Sequence, residues 1–359
     1  MSSISKVNRP RAMLLGRRTL VRDVAGGDAR MTWVGAPAGS GKTSLGLELA
    51  AAHPGPVAWL RLDETDADLA SFFHFLAEAV RRGGVAADWQ APQLAREPLS
   101  APAVYVRAFV RSLAGAVAAD ACLVFDDTHR CQEAPFFGPL LSTLAEEMPH
   151  GTRVLCLSRL PPPVQSTRLV VNGQMREMTG ADLHFSAAET EALLAAIGVP
   201  RNPDTTTTVG RLTHGWAAGI AMVGAWMQRR PGETPAWDLD LARSVAGYLA
   251  SEVFGTFTPL ERKSLLSVCW LSNFNAEDVS FLAGDPGAAG AVAGLVTRGI
   301  MVFEYPGRTF GLHHLFQRYL QQEAAASLPR EEADALRGRS VDRLEAQGNL
   351  DEAVELALE

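Results

Sequence analysis

The sequence predicts an α/β domain built on a parallel sheet, followed by a helical domain, a winged-helix domain and the start of an α-helical repeat arm. Three observations carry this expectation. Over the first half, short apolar runs alternate with helical patterns, as in βαβ units. One strand–helix junction there, Ala36-Pro-Ala-Gly-Ser-Gly-Lys-Thr43, is built of the small residues a phosphate-cradling loop needs. Over the second half, helical patterns dominate and lead near residues 290–320 into a helix followed by a hairpin.

In chain order, Met31-Thr-Trp-Val-Gly35 reads as the first strand, and Lys42 to about Ala52 as a helix with Leu45, Leu49 and Ala52 on one face. Val57-Ala-Trp-Leu-Arg-Leu62 is the next strand. Asp68 is placed to cap a helix whose stripe is Leu69, Phe72, Phe73, Leu76 and Val80. Residues 83–102, rich in Gly, Pro and Ala, read as a surface excursion. A helix from Tyr105 to Val117 leads to the apolar strand Ala121-Cys-Leu-Val-Phe125, which ends in Asp126-Asp127. A helix over Phe137–Glu147 precedes the strand Thr152-Arg-Val-Leu-Cys-Leu157, and Pro161-Pro-Pro163 closes the block. Helices follow at Ala187–Ile197, Thr207–Gln228, Ala242–Phe254 and Pro259–Val268. The hairpin runs from Gly299 to Tyr305, turns at 306–307 and returns over Arg308–Leu312. From Arg330 two helices are split by Gly348-Asn349. A lone helical pair cannot bury its own face, so this reads as the first unit of a repeat array, cut short. The expected boundaries are 1–180, 181–238, 239–325 and 326–359.

Composition narrows the function. The 359 residues carry a net charge of −7, are 47% hydrophobic and 20% charged, and contain no run long enough to span a membrane. No apolar leader follows Met1, so a cytoplasmic protein is expected. A net acidic chain without a Lys/Arg block is not by itself a nucleic-acid binder. Cys122, Cys131, Cys156 and Cys269 lack metal-ligand spacing and read as buried, reduced thiols. Of 33 basic residues only Lys6, Lys42 and Lys263 are lysines.

Lys42 stands where chemistry demands it. In a P-loop, successive backbone N–H groups wrap the β-phosphate, and Gly39 and Gly41 let the chain pass that close. The helix from Lys42 aims its dipole at the same anion. Lys42 would reach the β/γ-phosphates and the Thr43 hydroxyl would ligate Mg²⁺. Ala36 stands where the strict pattern has its first glycine. The first domain is thus an α/β P-loop NTPase domain with Pro37, Ala38, Gly39, Ser40, Gly41, Lys42, Thr43 and Ser44 as its ATP/ADP cradle. Asp126 suits the Mg²⁺ shell; Asp127 suits orienting or deprotonating water, although adjacent acids at a strand end also serve as solvated turn formers. Arg159, ending the next strand after Ser158, is placed to sense a γ-phosphate or to be a surface arginine.

Taken together, the chain resembles the STAND class of signal-transduction ATPases, and within it the MalT-type, LuxR-family large ATP-binding transcriptional regulators. The resemblance rests on Arg9-Pro-Arg11 with Leu14-Leu-Gly-Arg17, Pro37–Thr43, Trp59-Leu-Arg-Leu-Asp63-Glu64, Leu123-Val-Phe-Asp-Asp127 with His129, Leu157-Ser-Arg159, Thr213-His-Gly-Trp-Ala-Ala-Gly219 and Leu312-His-His-Leu-Phe316. It implies base-side contacts for Gly16 and Arg17; by composition alone, Arg17-Arg18 would be an ordinary basic pair on a solvated face. It implies a lid helix at 213–219, where Gly215-Trp216-Ala217 replaces the family's Gly-x-Pro, with Trp216 reading as core. It also implies that His313 or His314 contacts the β-phosphate of ADP; the alternative is a histidine buried between helix and hairpin. The terminal helices become the start of a TPR-like arm.

The function so implied is an ATP/ADP switch with slow Mg²⁺-dependent ATPase activity, self-associating when ATP-bound. Its inducer, a small molecule or a protein, would bind the arm, and DNA would be reached only through a further C-terminal domain. The alternatives are a fast-turnover P-loop kinase or motor ATPase, or a nucleotide-dead binding scaffold.

Overall fold

The computed structural model describes residues 6–10, 15–93, 102–117, 120–233, 239–297, 301–305 and 307–358. The chain divides into two compact units. The first comprises Met1–Ala36 and Gly41–Leu183; the second comprises His184–Glu359 together with Pro37–Ser40.

The first unit runs α1 (Arg18–Ala25), β1 (Met31–Gly35), α2 (Lys42–Ala52), β2 (Val57–Arg61), α3 (Leu69–Arg82), α4 (Pro102–Ala114), β3 (Cys122–Asp126), α5 (Phe137–Glu147), β4 (Arg153–Ser158), α6 (Thr167–Val171) and β5 (Met175–Met178). The five strands are parallel in the order β2-β3-β4-β1-β5. Alternation along each strand divides the core between two faces. Trp33, Leu60, Phe125 and Cys156 pack against α3, α4 and α5 residues such as Phe72, Phe109 and Phe137. Val34, Trp59, Val124 and Leu157 pack on the other face with Leu45 of α2. Helix α2 lies close to the sheet because Gly46 lacks a side chain: a Cβ there would sit 2.8 Å from Leu157 Cδ1. The register pairs Gly35 with Ser158 and Asp126 with Leu157, which aligns the carboxyl ends of β1, β4 and β3.

Three features depart from the expected outline. β5 was not foreseen, because Met175-Arg-Glu-Met178 is a short edge strand with two polar residues and no apolar run. Helix α1 was likewise unforeseen. The segment after α3 is not simply a surface excursion: Val85, Ala86 and Trp89 are buried, and the indole donates to Ser112 Oγ at 3.1 Å while its ring meets Phe109 edge-on. The rest of that excursion, 94–101, lies outside the described residues.

The second unit contains α7 (Ala187–Ile197), α8 (Pro203–Thr213), α9 (Ala217–Arg229), α10 (Leu239–Glu252), α11 (Pro259–Val268), α12 (Ala276–Ala283), α13 (Ala288–Thr297), β6 (Val302–Tyr305), β7 (Thr309–Leu312), α14 (His314–Ser327), α15 (Arg330–Ala346) and α16 (Leu350–Leu358). The single helix expected over Thr207–Gln228 is two. His214 and Gly215 both adopt left-handed backbone at φ 46° and 77°, and the turn is pinned where Phe185 N–H donates to the Gly215 carbonyl. Helices α11–α13 followed by the antiparallel β6–β7 hairpin have the expected winged-helix outline. The terminal helical pair is tied back to α12 by Arg343 on Asp278 at 2.6 Å, yet Leu350, Val354 and Leu358 of α16 stay exposed.

Lys6 is fully internal. Its ammonium meets Asp63 at 2.8 Å, Asp66 at 3.1 Å and Thr65 Oγ1 at 3.0 Å, and lies over the Phe75 ring. Removing one partner of a buried pair leaves the other charge unpaired, a loss of roughly 3–5 kcal/mol. Lys6→Ala is therefore expected to lower the unfolding free energy read from urea titration by that amount, and adding Asp66→Asn is expected to restore part of it.

Candidate nucleotide site

Within the first unit the site begins where β1 ends. Ala36 is wholly buried, so its methyl fits where a glycine was the stricter choice. Its carbonyl accepts from Lys42 Nζ at 2.7 Å. Gly41 caps α2 with φ 86°, a left-handed conformation that suits glycine. Thr43 Oγ1 lies 3.3 Å from both oxygens of Asp126, the residue ending β3. Ser44 follows on α2, half-buried. Asp127 also takes left-handed backbone, φ 62°, and its carboxylate meets Arg61 Nε at 3.1 Å. Arg159 directly follows β4.

These groups feel one another. Burial, reinforced by the positive charge of Arg159, lowers the Lys42 ammonium to about 8. Burial, reinforced by Asp127, raises the Asp126 carboxyl to about 6. Burial also lowers the His129 imidazole to about 4, and its Nδ1 has no hydrogen-bond partner among the described residues. The structure thus brings Lys42, Thr43, Asp126, Asp127 and Arg159 to one sheet edge.

A hydroxyl facing a buried carboxylate is a hard-oxygen donor pair. It fits Mg²⁺, which takes one or two protein oxygens and completes its shell with water and phosphate. No cluster of three or more His, Cys, Asp or Glu able to cage a metal occurs among the described residues.

Gly16 and Arg17 are held by a residue not singled out from the sequence. The N–H groups of Leu15, Gly16 and Arg17 all donate to the Glu48 carboxylate, those of Gly16 and Arg17 at 2.8 Å. Glu48 lies on α2, so this loop is fastened to the helix that opens with Lys42. Arg17 is not on a solvated face: it is buried and its Nη1 donates to the Leu183 carbonyl at 2.7 Å.

The second unit holds Pro37–Ser40. Ala218 N–H donates to Gly39 O at 3.0 Å and Trp216 Nε1 to Ala38 O at 3.2 Å. A Cβ on Gly39, whose φ is 74°, would fall 2.6 Å from both Ala218 Cβ and Tyr248 Oη. Ser40 Oγ donates to the Pro37 carbonyl at 2.9 Å. Trp216 is buried, as the core reading of it expects, but its indole edge also grips the loop; Tyr248 had no motif to announce it.

His313 caps α14. Its Nδ1 accepts from Leu315 N–H, and its Nε2 donates to the Thr213 carbonyl at 2.8 Å. Both ring nitrogens are therefore used inside the unit, and burial lowers its pKa to about 3. His314 is half-buried, its pKa lowered by burial and by Arg318, and its Nδ1 has no partner among the described residues.

A parallel sheet with a glycine-hinged loop, a buried lysine and a facing carboxylate at one edge defines a P-loop NTPase fold. The fold is that of a Walker-type ATPase of Pyrococcus abyssi, matched with a TM-score of 0.58 and 12% identity over 88% of this chain and 98% of that one. Residues 250–332 match the MalT winged helix domain family. The chain is 25% identical over 323 residues to the HTH-type transcriptional regulator MalT of Vibrio parahaemolyticus, covering 85% of this chain and 34% of the relative. With the protein of that name from Cronobacter sakazakii it shares 24% over 370 residues, 99% of this chain and 40% of the relative. The chain is MalT-like over most of its length, and spans well under half the length of these relatives.

Two outcomes follow. A carboxyl raised from 3.8 to about 6 makes the ionised form costly in the folded state, so stability drawn from its protonated form is lost as pH rises from about 4 to 6. Asp126→Asn is thus expected to stabilise the nucleotide-free protein by roughly 1–3 kcal/mol above pH 6, the gain fading toward pH 4 in urea titrations. For His313, a depressed pKa means stability that is full above about 6.5 and lost as pH falls toward 3. His313→Asn, which can still cap α14, is expected to flatten the loss of melting temperature between pH 7 and pH 5.

Proposed function

We propose that this chain is the nucleotide-switched module of a longer transcriptional regulator of the STAND class: it binds Mg-ATP, hydrolyses it slowly to ADP, and changes conformation with the nucleotide held. The observation that carries this reading is the trio at one sheet edge, with Lys42 tethered to the Ala36 carbonyl and Thr43 facing buried Asp126. The MalT-like relationship supports the regulatory side of it.

The residues divide the work. The loop Pro37–Ser44, through its N–H groups from Ala38 onward, and the N-terminus of α2 cradle the phosphates, and Lys42 leaves the Ala36 carbonyl to reach the β/γ-oxygens. Thr43 and Asp126 hold Mg²⁺, which supplies charge neutralisation to the phosphates. Asp127, oriented by Arg61, positions the attacking water and accepts its proton. Arg159 reads the γ-phosphate through its guanidinium fork. Gly16 and Arg17, fastened by Glu48, lie on the base side. His313 and His314 tie the winged helix to the nucleotide state; for His313 this means exchanging the Thr213 carbonyl for a phosphate oxygen. ADP favours a closed state, and ATP with an inducer favours an open, self-associating one. DNA contact belongs to a C-terminal domain, and the protein works in the cytoplasm.

Equilibrium binding of fluorescent ATP and ADP tests the reading. Lys42→Ala is expected to weaken both at least 100-fold, with the melting curve of the free protein retained. Equal affinity in the variant would remove Lys42 from the phosphate site.

A further inference from the structure

The first unit carries a second concavity, at the opposite edge of its sheet from the P-loop. It is a cavity of about 310 Å³, at the lower end of the range of small-molecule sites. Its walls come from the same elements that build the nucleotide edge, read from their other ends. Arg30 precedes β1 and Thr32 lies near its start, Cys122 opens β3 and Arg153 opens β4, while Leu49 lies in the last turn of α2 and His53 follows it. Five-residue strands place it about 16 Å from the phosphate loop.

Two arginines give the cavity its chemistry, and both are held in place. Arg30 Nη1 donates to the Ala145 and Met148 carbonyls at 2.6 and 3.0 Å, at the end of α5. Arg153 Nη1 donates to the Ala29 carbonyl at 2.6 Å. That leaves the Nε/Nη2 edge of Arg153, the edge that takes a carboxylate by two parallel hydrogen bonds, without a hydrogen bond among the described residues. A third guanidinium is near: burial pushes the Cys122 thiol up to about 12, while Arg9 and Arg153 pull it the other way. Among the lining residues Asp120 is the one acid, and its backbone carbonyl is joined to the His53 ring at 2.8 Å. Val24, Leu49 and Leu155 supply an apolar wall beside the guanidinium.

We propose that this cavity binds a small organic carboxylate, its anionic head on the Nε/Nη2 edge of Arg153 and its apolar body against Val24, Leu49 and Leu155. One rigid guanidinium edge matches the two oxygens of a carboxylate. The body is limited to a short aliphatic chain or a single ring by the volume. The site stands independently of the nucleotide reading. Through α2, which starts at Lys42 and Thr43 and ends at Ala52, it touches the same helix as the P-loop.

Ligand-observed NMR titration with benzoate, and with benzamide as its neutral isostere, tests the proposal on the full chain. Benzoate is expected to bind at least tenfold more tightly than benzamide. Arg153→Gln is expected to erase that preference, and Ala52→Phe, which fills the mouth, is expected to abolish binding of both. Far-UV circular dichroism and the melting temperature establish that each variant is folded, without reference to nucleotide. Equal binding of the two probes, no benzoate binding, or unchanged benzoate affinity in either folded variant would each overturn the assignment. Should Arg153→Gln fail to fold, Ala52→Phe alone decides.

Discussion

The structure of the first unit turns on holding an ammonium, two carboxylates and a guanidinium at one sheet edge, with Lys42 and Asp126 buried there. Charges removed from solvent are costly unless they are paired or hydrogen-bonded. Here Lys42 leans on the Ala36 carbonyl, Asp126 takes the Thr43 hydroxyl, and Asp127 meets Arg61. The arrangement still leaves the lysine depressed and the carboxyl raised, a strain that an anionic ligand with a divalent cation would relieve. The rest of the unit serves this edge. Strand β4 separates β1 from β3, so Arg159 emerges between the loop and the carboxylates, and Gly46 lets α2 lie flat enough to deliver Lys42 and Thr43.

The second unit has its own constraint, the turn between α8 and α9. Left-handed His214 and Gly215 reverse the chain so that α9 begins with Trp216 and Ala218 gripping Ala38 and Gly39. His313 fastens the same turn through the Thr213 carbonyl, and its ring lies 5.8 Å from that of Trp216. Trp216 thus meets both the His313 ring and the Ala38 carbonyl. Where the related pattern places a proline, this chain has Ala217, buried at the first position of α9, and the neighbouring indole donates to the Ala38 carbonyl.

Much of this was legible in the residues. Buried parallel strands read as unbroken apolar runs, so β1, β3 and β4 stood out, and Asp68 announced its helix by capping it. The phosphate loop was legible because close backbone approach admits few residue types. What escaped notice lacked a local signal. Met175–Met178 is an edge strand with one polar pair, and its partner β1 is distant in sequence. The break at His214 was hidden because histidine seldom adopts positive φ, although Gly215 beside it was a clue. Trp89 and Arg17 looked exposed by composition and are buried by tertiary partners, and Glu48, on which three backbone amides converge, carries no local signal of that role. Among the three lysines, Lys6 and Lys42 each occupy a buried polar pocket that a compact ammonium fills.

The central claim is that the edge built around Lys42 and Asp126 exists to hold an adenine nucleotide for long periods. Denaturing the purified protein and quantifying what it releases by ion-exchange chromatography tests this most directly. The account predicts close to one adenine nucleotide per chain, either carried through purification or taken up on incubation with Mg-ATP. Protein that releases none, and takes up no labelled ATP when Mg²⁺ is supplied, would contradict it.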